Sequence, residues 1–202
     1  MSVPLDYVPD AAFPTDNDWG VPSLRIERQS LLLELPFTRW GTLSRGRKVG
    51  GTIHFYTDDY KFSGLWRRPD KVLSAAPACV IEPNFSTSDA YPAAAALWAV
   101  YRKRWLSRYW QEAGIRVFVD LAVSERHRHL SLLGVPVGWR AYSTTANTSD
   151  DAERVVAADY AQAVERAGHD DILFVVYGGG KKTETMCRER GWVWVHRSLG
   201  GQ

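Results

Sequence analysis

The chain is expected to be an α/β protein: a mainly parallel sheet with helices on both faces, as an open sandwich or a partial barrel, preceded by an irregular N-terminal arm. Three observations predict this. "ACVIEPNF", "IRVFVDL" and "DILFVVY" are short runs rich in β-branched and aromatic residues. They alternate with longer segments of helical pattern, the order that builds β-α-β units. The runs are also apolar throughout rather than at every second position, as strands buried on both faces require.

In chain order, residues 1 to about 23 carry Pro4, Pro9, Pro14 and Pro22, which interrupt any regular element. "LRIERQSLLLELPF" leaves room for a short strand or helix around Leu31 to Leu35, and "SRGRKVGG" has the composition of an exposed basic loop. Thr52 to Tyr56 alternates enough for a strand. "ACVIEPNF" is a strand that stops at Pro83. "PAAAALWAVYRKRWLSRYWQEAG" is the clearest helix, with Pro92 suited to a first turn, alanines of high propensity, and Gly114 at the stop. "IRVFVDL" is a strand, "SERHRHLSLLG" a short helix and "GWRAYSTTA" a strand. "SDDAERVVAADYAQAVERAG" follows as a helix, with Ser149 as its N-cap. "DILFVVY", "KTETMCRERG" and "WVWVHR" close the pattern as strand, helix and strand. The division expected is an arm with a basic loop over 1–50, packed on the domain, and a single α/β domain over 51–202.

Bulk properties narrow the function classes. A chain of 202 residues with 45% hydrophobic and 24% charged residues can bury a core as one domain. Its net charge of +2 is too small for nucleic-acid binding by bulk charge, so such binding needs a local basic patch. Cys79 and Cys187 stand far apart without metal-ligand spacing, which argues against a disulfide framework and a zinc site. The start "MSVPLDYVPD" lacks a basic region and an apolar run, and no stretch approaches the roughly 20 apolar residues of a membrane span. The expectation is a cytoplasmic protein without a membrane partner. Nine tryptophans are unusual. Several should anchor the core, and a few could serve as exposed stacking platforms.

"EPNFSTSDAYPAAAALWAVYRKRWLSRYWQEAGIRVFVDL", "LLGVPVGWRAYSTTANT" and "ILFVVYGG" resemble the domain-of-unknown-function 4417 family of bacteria, phages and mobile elements. "FYTDDYKFSGLWRRPDKVL" is similar to that family's aspartate-aromatic segment, and the resemblance runs over roughly residues 50 to 196. It implies an α/β fold and a phage or mobile-element setting, and it supplies no catalytic residues. The family pattern has aspartate where this chain has Asn84, so a chemistry that used that carboxylate would be missing here.

In parallel α/β sheets, ligands bind beyond the carboxyl ends of the strands. Those exits carry Glu82, Asn84 and Ser86; Asp120, Ser124 and Glu125; Ser143, Thr144, Thr145 and Asn147; and Tyr177 with Gly178, Gly179 and Gly180. Asp120, Glu82 and Glu125 are the candidate acids, able to act as acid and base or to take magnesium through oxygen ligands. Asp120, ending a strongly apolar strand, is the foremost. The bland alternative is that Asp120 caps the next segment and Glu82 pairs with an arginine. Gly178 to Gly180, with Lys181 and Lys182, form either an anion cradle at a helix N-terminus or a plain turn with solvated lysines. The Walker spacing is absent, which disfavours ATP or GTP hydrolysis.

Arg102, Arg104 and Arg108 interleave with aromatics on the long helix, and Arg45, Arg47 and Lys48 form a second basic set. On the binding reading these cations face solvent and neutralise phosphates while rings stack on bases. The alternative is an amphipathic helix whose arginines snorkel over the surface. His127 and His129 fall on different helix faces and do not suit one metal, and His54 reads as a core histidine. Three functions remain: handling of nucleic acid by a phage or mobile-element protein, an enzyme acting on a nucleotide or other phosphorylated small substrate, and a module that binds a host or phage protein.

Overall fold

The computed structural model describes residues 13–42 and 47–197. Its centre is a sheet of seven strands: β1 (Phe37–Arg39), β2 (Thr52–His54), β3 (Cys79–Ile81), β4 (Arg116–Asp120), β5 (Ala141–Ala146), β6 (Leu173–Gly178) and β7 (Val193–Val195). Every neighbouring pair is parallel, and the order across the sheet is the order along the chain. Among the described residues, four α-helices lie in the connections: α1 (Asp70–Ser74), α2 (Ala93–Glu112), α3 (Ala152–Ala167) and α4 (Lys181–Arg190). Each connection leads to the adjacent strand, and the sheet curls. Of the two forms expected, the partial barrel is realised, as a half-barrel.

Strand side chains alternate between two faces. Ile53, Val80, Val117, Val119, Tyr142, Phe174 and Val176 join Trp105, Leu106 and Trp110 of α2 in the larger core. Phe37, Cys79, Ile81, Phe118, Ala141, Val175, Tyr177 and Val195 form a second core from the strands themselves, with Tyr56 beside them. The long helices thus pack on one face, and strand side chains fill the other. The tryptophans are mostly structural. Trp66, Trp105, Trp110, Trp139 and Trp192 are buried, whereas Trp19 is 63% exposed.

Two local expectations, the element around Leu31 to Leu35 and the Ser149 cap, differ from the structure. No regular element forms over Leu31 to Leu35; the first strand is Phe37–Arg39, inside the stretch expected to be an arm. Residues further upstream are tied to the domain by hydrogen bonds. Gln111 of α2 accepts from Arg25 N at 2.8 Å and donates to Arg25 O at 3.0 Å, and Leu24 N donates to Gly134 O at 2.8 Å. Gly134 has φ +70°, and a Cβ there would meet Pro22 O at 2.1 Å, so the approach requires glycine. Lastly, α3 begins at Ala152 with Asp151 as its N-cap, while the Ser149 hydroxyl donates to Asn147 Oδ1 at 2.6 Å instead.

Candidate ligand-binding cleft

Parallel strands in chain order bring their carboxyl ends to one rim. Arg39, Tyr56, Thr57, Asn84, Thr145, Tyr177 and Arg197 line a cleft of about 280 Å³ there. They come from the exits of β1, β2, β3, β5, β6 and β7. Arg39 and Arg197 follow from opposite edges of the sheet, and neither has a carboxylate partner among the described residues. The Arg197 Nη2 donates to Ala146 O at 3.1 Å, and the Tyr177 hydroxyl donates to Arg197 O at 3.2 Å. Burial raises the pKa of the Tyr177 phenol, while both guanidiniums pull it back down. Tyr177 stacks on Tyr56 with ring centroids 5.1 Å apart.

A polar network lies beneath this cleft. The Tyr56 hydroxyl is 3.0 Å from Asp120 Oδ1 and 2.8 Å from Ser143 Oγ. An ionised Asp120 can only accept, so the phenol donates to it and takes the serine proton. Lys103 of α2 donates to Asp120 O at 2.6 Å and to Oδ2 at 3.3 Å. Asp120 N donates to Glu82 Oε2 at 3.1 Å, and Glu82 Oε1 accepts from Arg104 Nη1 at 2.6 Å. Lys103, Arg104, Glu82 and Asp120 are all buried. Burial raises the Asp120 pKa; Lys103 opposes this and Glu82 reinforces it. Burial, reinforced by the Asp120 charge, lifts the Tyr56 pKa well above the usual phenol range.

His54 lies below, stacked on Phe37 at 4.3 Å and 4.7 Å from Tyr177. Its Nδ1 accepts from Tyr56 N at 3.3 Å, while Nε2 has no hydrogen-bond partner among the described residues. Burial, aided by the Arg39 charge, lowers its pKa to about 3, so it is neutral near pH 7. It is a core histidine, as the sequence suggested. Further out, Asp159 of α3 accepts from the Thr144 hydroxyl at 2.7 Å and pairs with Arg128 at 3.3 Å.

The sequence candidates divide accordingly. Glu82 and Asp120 come together in one buried network, but each already faces a cation, which leaves little net negative charge there for magnesium. No group of three or more His, Cys, Asp or Glu among the described residues is arranged to hold a metal. Glu125 is absent from the network: it is exposed and binds Arg154 through both oxygens, at 2.8 and 3.0 Å. The α2 cations do not face solvent as the binding reading required. Arg104 is fully buried against Glu82, Arg108 is buried and pairs with Glu112, and Arg102 lies 4.0 Å from the Phe85 ring centroid. The helix passes so close to the strand exits that its basic face becomes the lid of the polar network.

Lys48 donates to Ser74 O at 2.7 Å, beside the start of β2 and thus at the end of the sheet away from the cleft. Arg47 is exposed beside it, and Arg45 lies outside the described residues. Gly178 and Gly179 have φ +84° and +73°; a Cβ would meet Arg197 Nε at 2.7 Å in the first and Thr183 Oγ1 at 2.4 Å in the second. Gly180 is the N-cap of α4, where the exposed Lys181 pairs with Glu184 at 3.0 Å and Lys182 with Asp150 at 3.9 Å. The glycine turn therefore makes room for Arg197, and its lysines line a separate cleft between α3 and α4. His127 Nε2 lies 2.9 Å from Tyr91 O, and His129 is exposed, so the two do not converge.

Arg39, Tyr56 and Arg197 were missed by the sequence reading. Arg39 ends a strand of only three residues, too short for a period to register, while the strands before Tyr56 and Arg197 were expected but their exits were not counted in the rim. Placing "FTR" and "VHR" as strand exits would have found both arginines.

A family model described as a domain of unknown function (DUF4417) matches residues 13–186, most of the chain. The chain belongs to the DUF4417 family. This DUF4417 protein is 35% identical over 111 residues to the "Gene 1 protein" of Mycobacterium phage D29, covering 52% of the chain and 40% of the relative. It is 43% identical over 72 residues to the "Gene 1 protein" of Mycobacterium phage L5, covering 35% of the chain and 31% of the relative. The chain thus spans well under half the length of these phage-encoded relatives. No solved structure matches. Among the described residues, no helix is long and apolar enough to cross a membrane.

Proposed function

We propose that this DUF4417 protein binds a nucleotide or other phosphorylated small ligand in the cleft at the carboxyl ends of the strands, within a phage or mobile-element setting. One observation carries the reading: Arg39 and Arg197, from opposite edges of the sheet, line the same small cleft with Asn84, Thr57 and Thr145. Guanidinium forks suit phosphate oxygens, and the amide and hydroxyls add orienting partners. The cleft occupies the position where parallel β/α proteins place their ligands. At about 280 Å³ it is at the small end of ligand pockets, which favours a compact ligand over a polymer groove.

Nucleic-acid handling through α2 draws less support, because Arg104 and Arg108 are buried in internal pairs. The test is a thermal-shift screen of nucleoside mono- and diphosphates and sugar phosphates, with and without magnesium, at low and high salt. A ligand that binds only the native state raises the melting temperature. The rise should vanish in an Arg39→Ala, Arg197→Ala double variant. If no phosphorylated compound shifts the wild-type protein, the reading is wrong.

A further inference from the structure

We infer that the ligand of this cleft is a dianionic phosphate monoester, and that it clasps the two free edges of the half-barrel together. The inference rests on the phosphorylated-ligand reading and goes beyond it in naming the charge state and the mechanical consequence. β1 and β7 are the outermost strands, each hydrogen-bonded to one neighbour only. Among the described residues no ladder joins them. Their exits nevertheless deliver Arg39 and Arg197 to one cleft.

Two guanidiniums facing one small space repel each other, and among the described residues no carboxylate relieves either. One feature ties the pair to a common point, and a second positions Arg197. Both cations lower the pKa of the single Tyr177 phenol. The glycine at 178 leaves the room that Arg197 occupies, since a Cβ there would stand 2.7 Å from its Nε. Arg197 is also held by the Ala146 carbonyl and by the Tyr177 hydroxyl at its backbone oxygen, so it is aimed before any ligand arrives.

A diester has two free oxygens and one charge, which one guanidinium fork satisfies. A monoester has three free oxygens and up to two charges near neutral pH, enough to engage a fork from each side. Only the monoester neutralises both cations. Once bound to both, it ties the exit of the first strand to the exit of the last, a connection that the backbone does not make.

The experiment compares ribose 5-phosphate with dimethyl phosphate, by calorimetry for affinity and by amide hydrogen exchange for the edges. The expected result is that ribose 5-phosphate binds at least about tenfold more tightly, the scale of one lost charge-assisted contact. It should slow exchange at both 37–39 and 193–195. In Arg39→Gln, residual binding should protect 193–195 alone; in Arg197→Gln, it should protect 37–39 alone. Arg39→Lys, which keeps the charge and loses the fork, controls for simple charge loss. Tight binding with protection at one edge or neither would overturn the clasp and leave the ligand reading standing. Equal affinity for the diester would overturn the dianion assignment. Failure of ribose 5-phosphate and of every compound in the thermal screen would remove the ligand reading and the clasp with it.

Discussion

Arg104 and Glu82 face each other with water excluded: Nη1 stands 2.6 Å from Oε1, and neither side chain retains exposed surface. The guanidinium also donates to Leu133 O at 2.9 Å and Ser131 O at 2.7 Å, and the carboxylate accepts from Asp120 N. The pair joins α2 to the exits of β3 and β4. Removing one member leaves an uncompensated buried charge, which costs about 3–5 kcal/mol. Arg104→Met and Glu82→Leu should each lose that much in urea unfolding. The double variant should lose clearly less than their sum, because neither charge is then stranded.

A second prediction concerns pH. Burial lifts Asp159 to about 6, outweighing the Thr144 hydroxyl and the Arg128 charge. A carboxyl raised in the folded state contributes stability below its unfolded pKa, and that contribution is lost as pH rises through the folded value. From about 3.8 to 6 the loss amounts to about 3 kcal/mol. Asp159→Asn abolishes the titration, so its stability relative to the wild type should rise by up to about that amount between pH 4 and pH 7. Chemical unfolding of both proteins across this range checks it; a difference that is flat with pH would refute it.

His54 offers a third. Its Nε2 is a buried donor without an acceptor among the described residues, in a ring stacked on Phe37 and tilted against Tyr177. A stranded polar group costs about 1–3 kcal/mol; His54→Phe removes that cost but strands the Tyr56 N–H, which Nδ1 accepts at 3.3 Å, so stability in urea unfolding should change by less than about 1 kcal/mol. A loss well beyond that would show that Nε2 is satisfied in solution.

The turn after β6 gives a fourth. Gly178→Ala combines a left-handed backbone, at φ +84°, with a clash against Arg197 Nε. The strain should cost about 1–2 kcal/mol, and displacement of Arg197 should weaken phosphorylated ligands as Arg197→Gln does. Gly180→Ala has open space around the new carbon and should leave binding unchanged.

The parallel sheet and its rim were legible because the runs holding β3, β4 and β6 are apolar and separated by helical segments. β1 was not, since Phe37–Arg39 is too short to carry a period and follows a leucine-rich stretch that is itself partly exposed. The adjacency of Glu82 and Asp120 was readable from their common place at strand exits. The fate of Arg104 was not: alternating rings and cations on α2 fit an exposed basic stripe as well as a buried one, and only the strand-end carboxylate decides between them. Glu125 misled for the converse reason, since a residue five positions past its strand's end can turn outward and meet a surface arginine.

The sheet's monotonic order has a consequence for biosynthesis. Each strand can dock on the one made just before it, so the half-barrel can grow as the polypeptide leaves the ribosome. The two cations of the cleft are nevertheless contributed by the earliest strand and by the residue following the latest. A translation product halted before Arg197 could assemble most of the scaffold and still lack half of its grip on phosphate. Binding competence would then report that synthesis had passed the final strand.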